Sequence, residues 1–228
     1  MNKTGPVFPS VLGVAENYFP IKEGLEWKYI TKDKREPVQV VRILKQLRIE
    51  GKDLIVVEED TNFIRFYLKR EDGLANLGSS PPIPVLEQVV PFVWYPSQIH
   101  KGYKFDQIPT QKVDTGRDYD GDGKNETVEM TSTVTIGGEE RMSVPAGTYD
   151  AVRIDYHLAM VLHFSNSKKT ENLYQHVTQW AAKGVGVIKR VDKGHGVRFD
   201  KDLPLPVRES SDELAGISYT GAAPRNGS

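Results

Sequence analysis

Residues 118–126 read DYDGDGKNE, the stretch of this chain densest in groups that could do chemistry. Calcium takes six to eight hard oxygen ligands, and carboxylates alternating along a tightly turned loop supply them. Asp118, Asp120 and Asp122 stand at positions 1, 3 and 5 of such a loop, Gly123 at 6, Lys124 at 7 and Glu126 at 9. Position 7 contributes only its backbone carbonyl, so a lysine is tolerated there. Carboxylates this close repel one another, and holding them together without a cation is costly. The same residues also suit a solvated acidic turn, with Asp and Gly chosen for left-handed backbone geometry. The expectation is a structural Ca2+ ion held by Asp118, Asp120, Asp122, the Lys124 carbonyl and Glu126. It would stiffen the start of the next strand with a weak affinity of ~10⁻⁴–10⁻³ M.

Glu129 would complete a 12-residue helix–loop–helix calcium site, in which a helix swings the last glutamate back onto the ion. Thr127 to Val134 reads instead as a strand, which carries Glu129 away. The loop therefore resembles the DxDGDGxxD/E calcium loops that join β-strands in integrin-type propeller repeats, a likeness confined to these nine residues.

Other chemistry finds little support. The chain has no cysteine, which excludes structural disulfides, Cys-ligated zinc, iron–sulfur clusters and thiol nucleophiles. There is no G-x-S-x-G elbow, P-loop or HExxH motif. Gly184-Val-Gly186 lacks the third glycine and the following helix of a dinucleotide site. His157 and His163 share a strand face but are too far apart for one ion, at ~3.3 Å per residue; His100, His176 and His195 are scattered. No enzyme activity is expected, and a hydrolase ranks behind binding and structural roles.

The 228 residues carry 30 basic and 31 acidic side chains, a net charge of -1. That balance gives no drive toward nucleic acid or an anionic membrane. No run approaches the ~18 apolar residues of a membrane-spanning helix, and the first residues lack the basic and apolar regions of a signal peptide.

The elements that must position any site are mostly strands. Leu25, Trp27 and Tyr29 alternate on one face. Pro37–Ile49 and Asp53–Asp60 flank the turn at Glu50–Asp53 as a long hairpin, and Phe63–Arg70 follows. Residues 73–96 are proline-rich and irregular, with at most a helical turn or two in Val85–Val90, and make the best lid or crossover. Strands resume at Tyr103–Phe105 and Thr127–Ile136. Gly137-Gly138 reads as a tight turn into Arg141–Val144, and Tyr149–Phe164, Leu173–Ala182, Val185–Val191 and a short Gly196–Phe199 strand follow. This organisation predicts a leader at 1–17, one β domain at 18–202 and a tail at 203–228. Pro, Ser, Gly and acidic residues make the tail flexible unless a partner or another part of the domain holds it. One echo recurs: Tyr18-Phe-Pro20 leads through Gly24 to Trp27-Lys-Tyr29, and Trp94-Tyr-Pro96 leads through Gly102 to Tyr103-Lys-Phe105. It reads either as two related starts of a sheet or as chance.

YFPIKEGLEWKY, VPAGTYDAVRIDY and WAAKGVGVIKR, running in order from Tyr18 to Arg190, together resemble bacterial envelope proteins and lipoproteins. In those, a P-x-x-x-G-x-x-W-x-Y strand precedes VPAGTF and W-x-A-x-G-V-G-x-V-K motifs. The resemblance implies a curved antiparallel sheet related to the half-barrels of lipoprotein carriers, export to the periplasm or beyond, and an apolar cavity. It brings no catalytic residues, and this chain lacks a lipobox cysteine. The expected fold is mainly β, a curved antiparallel sheet or half-open β-barrel of about nine to eleven strands with few short helices. The expected function is non-enzymatic binding of a lipid or other apolar or amphipathic ligand, with Phe92, Trp94 and Tyr95 as candidate contacts. The alternative is a structural subunit of a cell-surface assembly that docks a protein partner through edge strands and the C-terminal tail.

Overall fold

A computed structural model describes residues 11–32, 38–59, 62–195 and 208–220. Period-2 alternation produces two successive meanders. The first runs through β2 (Leu25–Thr31), β3 (Val38–Ile49), β4 (Lys52–Glu59), β5 (Ile64–Arg70), β6 (Gly73–Ser80) and β7 (Phe92–Pro96). The second runs through β9 (Lys104–Asp114), β10 (Thr127–Val144), β11 (Gly147–His163), β12 (Thr170–Ala182), β13 (Gly186–His195) and β14 (Arg208–Tyr219). The last strand of the second half pairs with the first strand of the first, in the register Leu214–Tyr29 and Tyr219–Leu25. One twelve-stranded antiparallel sheet results, in the order β7-β6-β5-β4-β3-β2-β14-β13-β12-β11-β10-β9, nearly closed into a barrel.

Closure lacks only a backbone ladder between the edges β7 and β9. Side chains bridge this seam: Gln107 Nε2 donates to the Val93 carbonyl at 3.1 Å. The helical turn α2 (Pro84–Glu87) packs on both β6 and β9. Just after it, Gln88 bonds the carbonyl and the N–H of Asp114 at 2.6 and 3.0 Å. The proline-rich segment thus spans the seam and buries its own Val85 there.

The echo in the sequence marks equivalent starts of the two halves. Gly24 and Gly102 both take left-handed φ, 82° and 79°. Gly24 N–H donates to the Ile43 carbonyl and Gly102 N–H to the Ile136 carbonyl, each on the second strand after it, and the next residue in each case closes a turn onto the third residue before it. Ile43 and Ile136 are both fully buried, and each immediately precedes a register shift in its strand.

Three expectations need correction. Gly137-Gly138 is no turn but part of the bulge that shifts the β10 register between Ile136 and Glu139; a Cβ on Gly137 would lie 3.1 Å from that of Arg153, so the close approach selects glycine. Residues 73–80 are a strand, whose Gly73, Asn76 and Gly78 hide its alternation. The presumed tail is held by the domain over residues 208–219, with Leu214 fully buried between β13 and β2. That strand is therefore not free to dock on a partner. The short strand expected at 196–199 lies outside the described residues.

The N-terminal stretch, as far as it is described, belongs to the core as well. β1 (Val11–Val14) pairs with β8 (Gln98–His100) in a separate two-stranded sheet. The turn α1 (Ala15–Tyr18) buries Ala15 and Tyr18, and the Asn17 carbonyl accepts the Gly184 N–H at 2.6 Å. Two apolar clusters fill the interior: a larger one around Tyr18, Trp27, Ile43 and Tyr95, and a smaller one around Phe92, Met130 and Met160. Among the described residues no helix is long and apolar enough to cross a membrane.

Candidate functional site

A cavity opens beside the larger cluster, with about 90 Å³ available to the centres of water-sized spheres. At roughly 15 Å³ per water on this measure it holds a few waters or one end of a larger ligand. Strand alternation builds most of its wall, because residues two apart point the same way. Trp27 and Tyr29 come from β2, Val57 and Glu59 from β4, Arg65 and Tyr67 from β5. Gln179, Arg190 and Asp212 face them from the second half of the sheet.

Trp94 and Tyr95 are adjacent, yet both line the cavity. A register shift explains this: Leu74 pairs with Tyr95 and Ala75 with Val93, which leaves Trp94 as the extra residue. Trp94 stacks on Tyr156 with centroids 5.3 Å apart, while the Tyr95 hydroxyl donates to Gln179 Oε1 at 2.7 Å. Phe92, grouped with these two as a ligand contact, is instead buried in the smaller cluster and absent from the cavity wall. Phe92 touches the wall only from behind, through Trp94, whose ring centroid lies 6.1 Å from its own.

The polar wall is largely self-paired. Arg65 Nε bonds Glu59 Oε2 at 2.7 Å, and the Tyr67 hydroxyl reaches Glu59 Oε1 at 3.4 Å. Asp212 accepts from Thr31 Oγ1 at 2.5 Å, and Arg190 bonds Asp192 at 2.9 Å. Burial opposes the Arg65 charge, but Glu59 more than offsets it and its pKa is raised. Burial also pushes the phenols of Tyr29, Tyr67 and Tyr156 well up and that of Tyr95 up to about 12. These tyrosines stay neutral around neutrality, and Tyr29, Tyr67 and Tyr95 donate hydrogen bonds through their hydroxyls. On the wall, Arg190 has a buried Nε without a protein partner. The arrangement can hold an amphipathic group between aromatic faces and a few polar atoms.

The acidic stretch forms the β9–β10 loop, its base pinned where the Thr115 N–H and hydroxyl both bond the Glu126 carbonyl. Asp118 accepts backbone N–H bonds from Gly121 at 2.6 Å, Asp122 at 3.3 Å and Gly123 at 2.7 Å. The bond from Gly123 leads in holding its carboxyl below the ordinary range. Carboxylate oxygens of Asp118, Asp120 and Glu126 all lie within 4.8 Å of one another. Asp122 stands outside this group and accepts the Lys124 N–H at 2.9 Å. Glu129 sits on β10, as the strand reading requires, and is exposed.

Some neighbours were not readable from spacing. His157 and His176 meet across β11 and β12, their rings stacked 3.9 Å apart, with Asp155 3.4 Å from His176 Nε2. Burial, followed by the proximity of His176, lowers the His157 pKa. Phe19 packs against Trp27, Tyr67 and Tyr95 at the cavity. Glu59 and Arg65 carry no signal in the sequence, since charges alternating with Val and Phe look solvent-facing.

Comparison with known proteins comes from three directions. No curated protein matches the chain. Two solved structures match the chain, each match covering 88% of this chain and 98% of the other. One, from Bacteroides fragilis, is described as an exported protein with a YmcC-like fold, at 13% identity and a TM-score of 0.35. The other, from Parabacteroides distasonis, is described as a lipoprotein, at 12% identity and a TM-score of 0.36. The model of the family described as DUF3108-like matches residues 90–193, from just before β7 into β13, so the similarity takes in Trp94, Tyr95, the acidic loop and much of the second half of the sheet.

Proposed function

We propose that this is a non-catalytic binding protein of the bacterial envelope whose barrel interior takes one end of an amphipathic ligand. The observation that carries the reading is the cavity wall, in which Trp27, Trp94 and Tyr95 stand beside the Arg65–Glu59 pair. An apolar body would lie on the rings, and a polar group would meet the Arg65–Glu59 pair and Arg190 on the wall. Sites that bind small molecules commonly combine a mostly apolar wall with a few placed polar groups. The size of the cavity favours a short chain or the end of a longer one over a whole lipid. The envelope location rests on the ordered YFPIKEG, VPAGTY and WAAKGVG motifs and is compatible with the lack of cysteine.

The test is native mass spectrometry of protein purified without detergent, followed by titration with a fluorescent fatty acid. The expected result is a co-purifying or added amphiphile bound one to one. Trp94→Ala should weaken it about tenfold or more, while Trp180→Ala, outside the cavity wall, should not. Absence of both co-purified ligand and probe uptake by folded protein overturns the proposal.

A further inference from the structure

We infer that the β9–β10 loop is a calcium site whose carboxylate ligands are Asp118, Asp120 and Glu126, without Asp122. It is separate from the cavity and abuts the smaller core cluster, against which Tyr119 packs. The observation that sets this loop apart from a solvated acidic turn is Glu126. Its side chain is fully buried, Oε2 accepts the Tyr119 N–H at 2.5 Å, and Oε1 is buried with no hydrogen-bond partner. A buried carboxylate oxygen with no donor forgoes its hydration for nothing. A cation placed between it and the two aspartates supplies the missing partner and relieves the repulsion among the three.

The geometry suits calcium. With bonds of about 2.3–2.6 Å, two oxygens on opposite sides of the ion stand at most about 4.6–5.2 Å apart, and the three carboxylates already fall within 4.8 Å. Magnesium demands near-ideal octahedral geometry at about 2.0–2.1 Å and dehydrates reluctantly, so it is served less well by carboxylates from three positions of one turn. Waters complete the six to eight oxygens. The backbone bonds to Asp118 hold the turn in shape, and Gly121 and Gly123 take the left-handed φ it needs, 79° and 87°. Asp120 Oδ2 also accepts the Asn166 N–H at 3.3 Å, so the ion would tie this loop to the one joining β11 and β12.

The experiment uses the full chain stripped with EDTA. Terbium, excited through Tyr119, and then CaCl2 alone are titrated in, with calorimetry and melting curves alongside. Saturable terbium emission displaced by calcium is expected, with a midpoint rise of roughly 5–10 °C at a calcium concentration about 100 times Kd. Asp118→Asn and Asp120→Asn, at sites that are exposed or half-buried, should fold normally and each lower calcium affinity at least about tenfold. Glu126→Gln should do the same, and the aspartate variants carry the test if it does not fold. Asp122→Asn should stay within about threefold of the parent. No binding heat together with an unchanged midpoint overturns the site. An equal response to magnesium overturns the choice of ion, and an Asp122→Asn loss matching that of Asp118→Asn overturns the ligand set.

Discussion

Phe19 and Tyr95 pack ring against ring with centroids 5.1 Å apart, and each is the residue before the proline in its copy of the aromatic-Pro echo. Equivalent positions of the two halves therefore touch, next to the cavity that both halves line. The contact ties the described N-terminal stretch to the edge strand β7. Phe19→Ala should cost about 2–3 kcal/mol and Tyr95→Phe, which leaves Gln179 Oε1 without its donor, about 1–2 kcal/mol. Denaturant titration of Phe19→Ala, the ring-removing variant Tyr95→Leu and the double should show a coupling of about 0.5–1.5 kcal/mol. Strict additivity would mean that the rings do not cooperate.

Leu214 discriminates between a tail and a strand. It is fully buried, and its carbonyl accepts the Ala146 N–H at 2.9 Å. Leu214→Ala should lower the unfolding free energy by about 3 kcal/mol, read from the denaturant midpoint. In a flexible tail the same change would be neutral.

At the seam, Gln107 donates to Val93 and accepts from Ser132 Oγ at 2.9 Å. Gln107→Ala should cost about 1–2 kcal/mol. Amide hydrogen exchange should quicken in β7 and the adjoining part of β9, while the β14–β2 pairing keeps its protection. A uniform change across the sheet would show that the seam is not a separate opening unit.

Acid should find one particular weakness. Glu26 is buried, and Arg42 donates to Glu26 Oε2 through Nε and NH2 at 2.8 and 2.5 Å. The Arg42 bonds, opposed by burial and helped by Ser218, hold its carboxyl below the ordinary range. A depressed folded value means that its stabilisation is complete above the unfolded glutamate's pKa, about 4.3, and is lost as pH falls through the folded value. Glu26→Gln should cost about 1 kcal/mol at pH 7, and the gap to the parent should close toward pH 3. A gap independent of pH would assign the loss to packing instead of charge.

How much of this the chain announces depends on whether burial is one-sided. The hairpin at Glu50–Gly51 and strands such as β10, with Val128, Met130 and Val134 alternating inward, are plain. β14 reads RESSDELAGISY because polar pairs cover most of it, Thr31 with Asp212 and Lys189 with Glu213; its apolar anchor is one residue, and alternation cannot register on one residue. β6 is hidden for a different reason, since glycines admit α2 against it, where a Cβ on Gly78 would meet Glu87 at 2.8 Å. The acidic loop is legible as a cluster, but the burial of Glu126 is not, because it depends on how Thr115 and Tyr119 fold over it. The cavity is the least legible part. Arg65 and Glu59 become interior residues only when strands far apart in the chain curl round to face each other.

Because β14 lies between β13 and β2, the two meanders share no backbone ladder until the segment ending at Tyr219 has been made. The strands within each meander pair with their neighbours in the chain, but the β14–β2 ladder joins segments far apart in sequence, and such pairing is slow because its loop entropy comes due first. Joining of the two halves by a continuous ladder is therefore a late event, tied to residues 208–219 and not to any earlier strand.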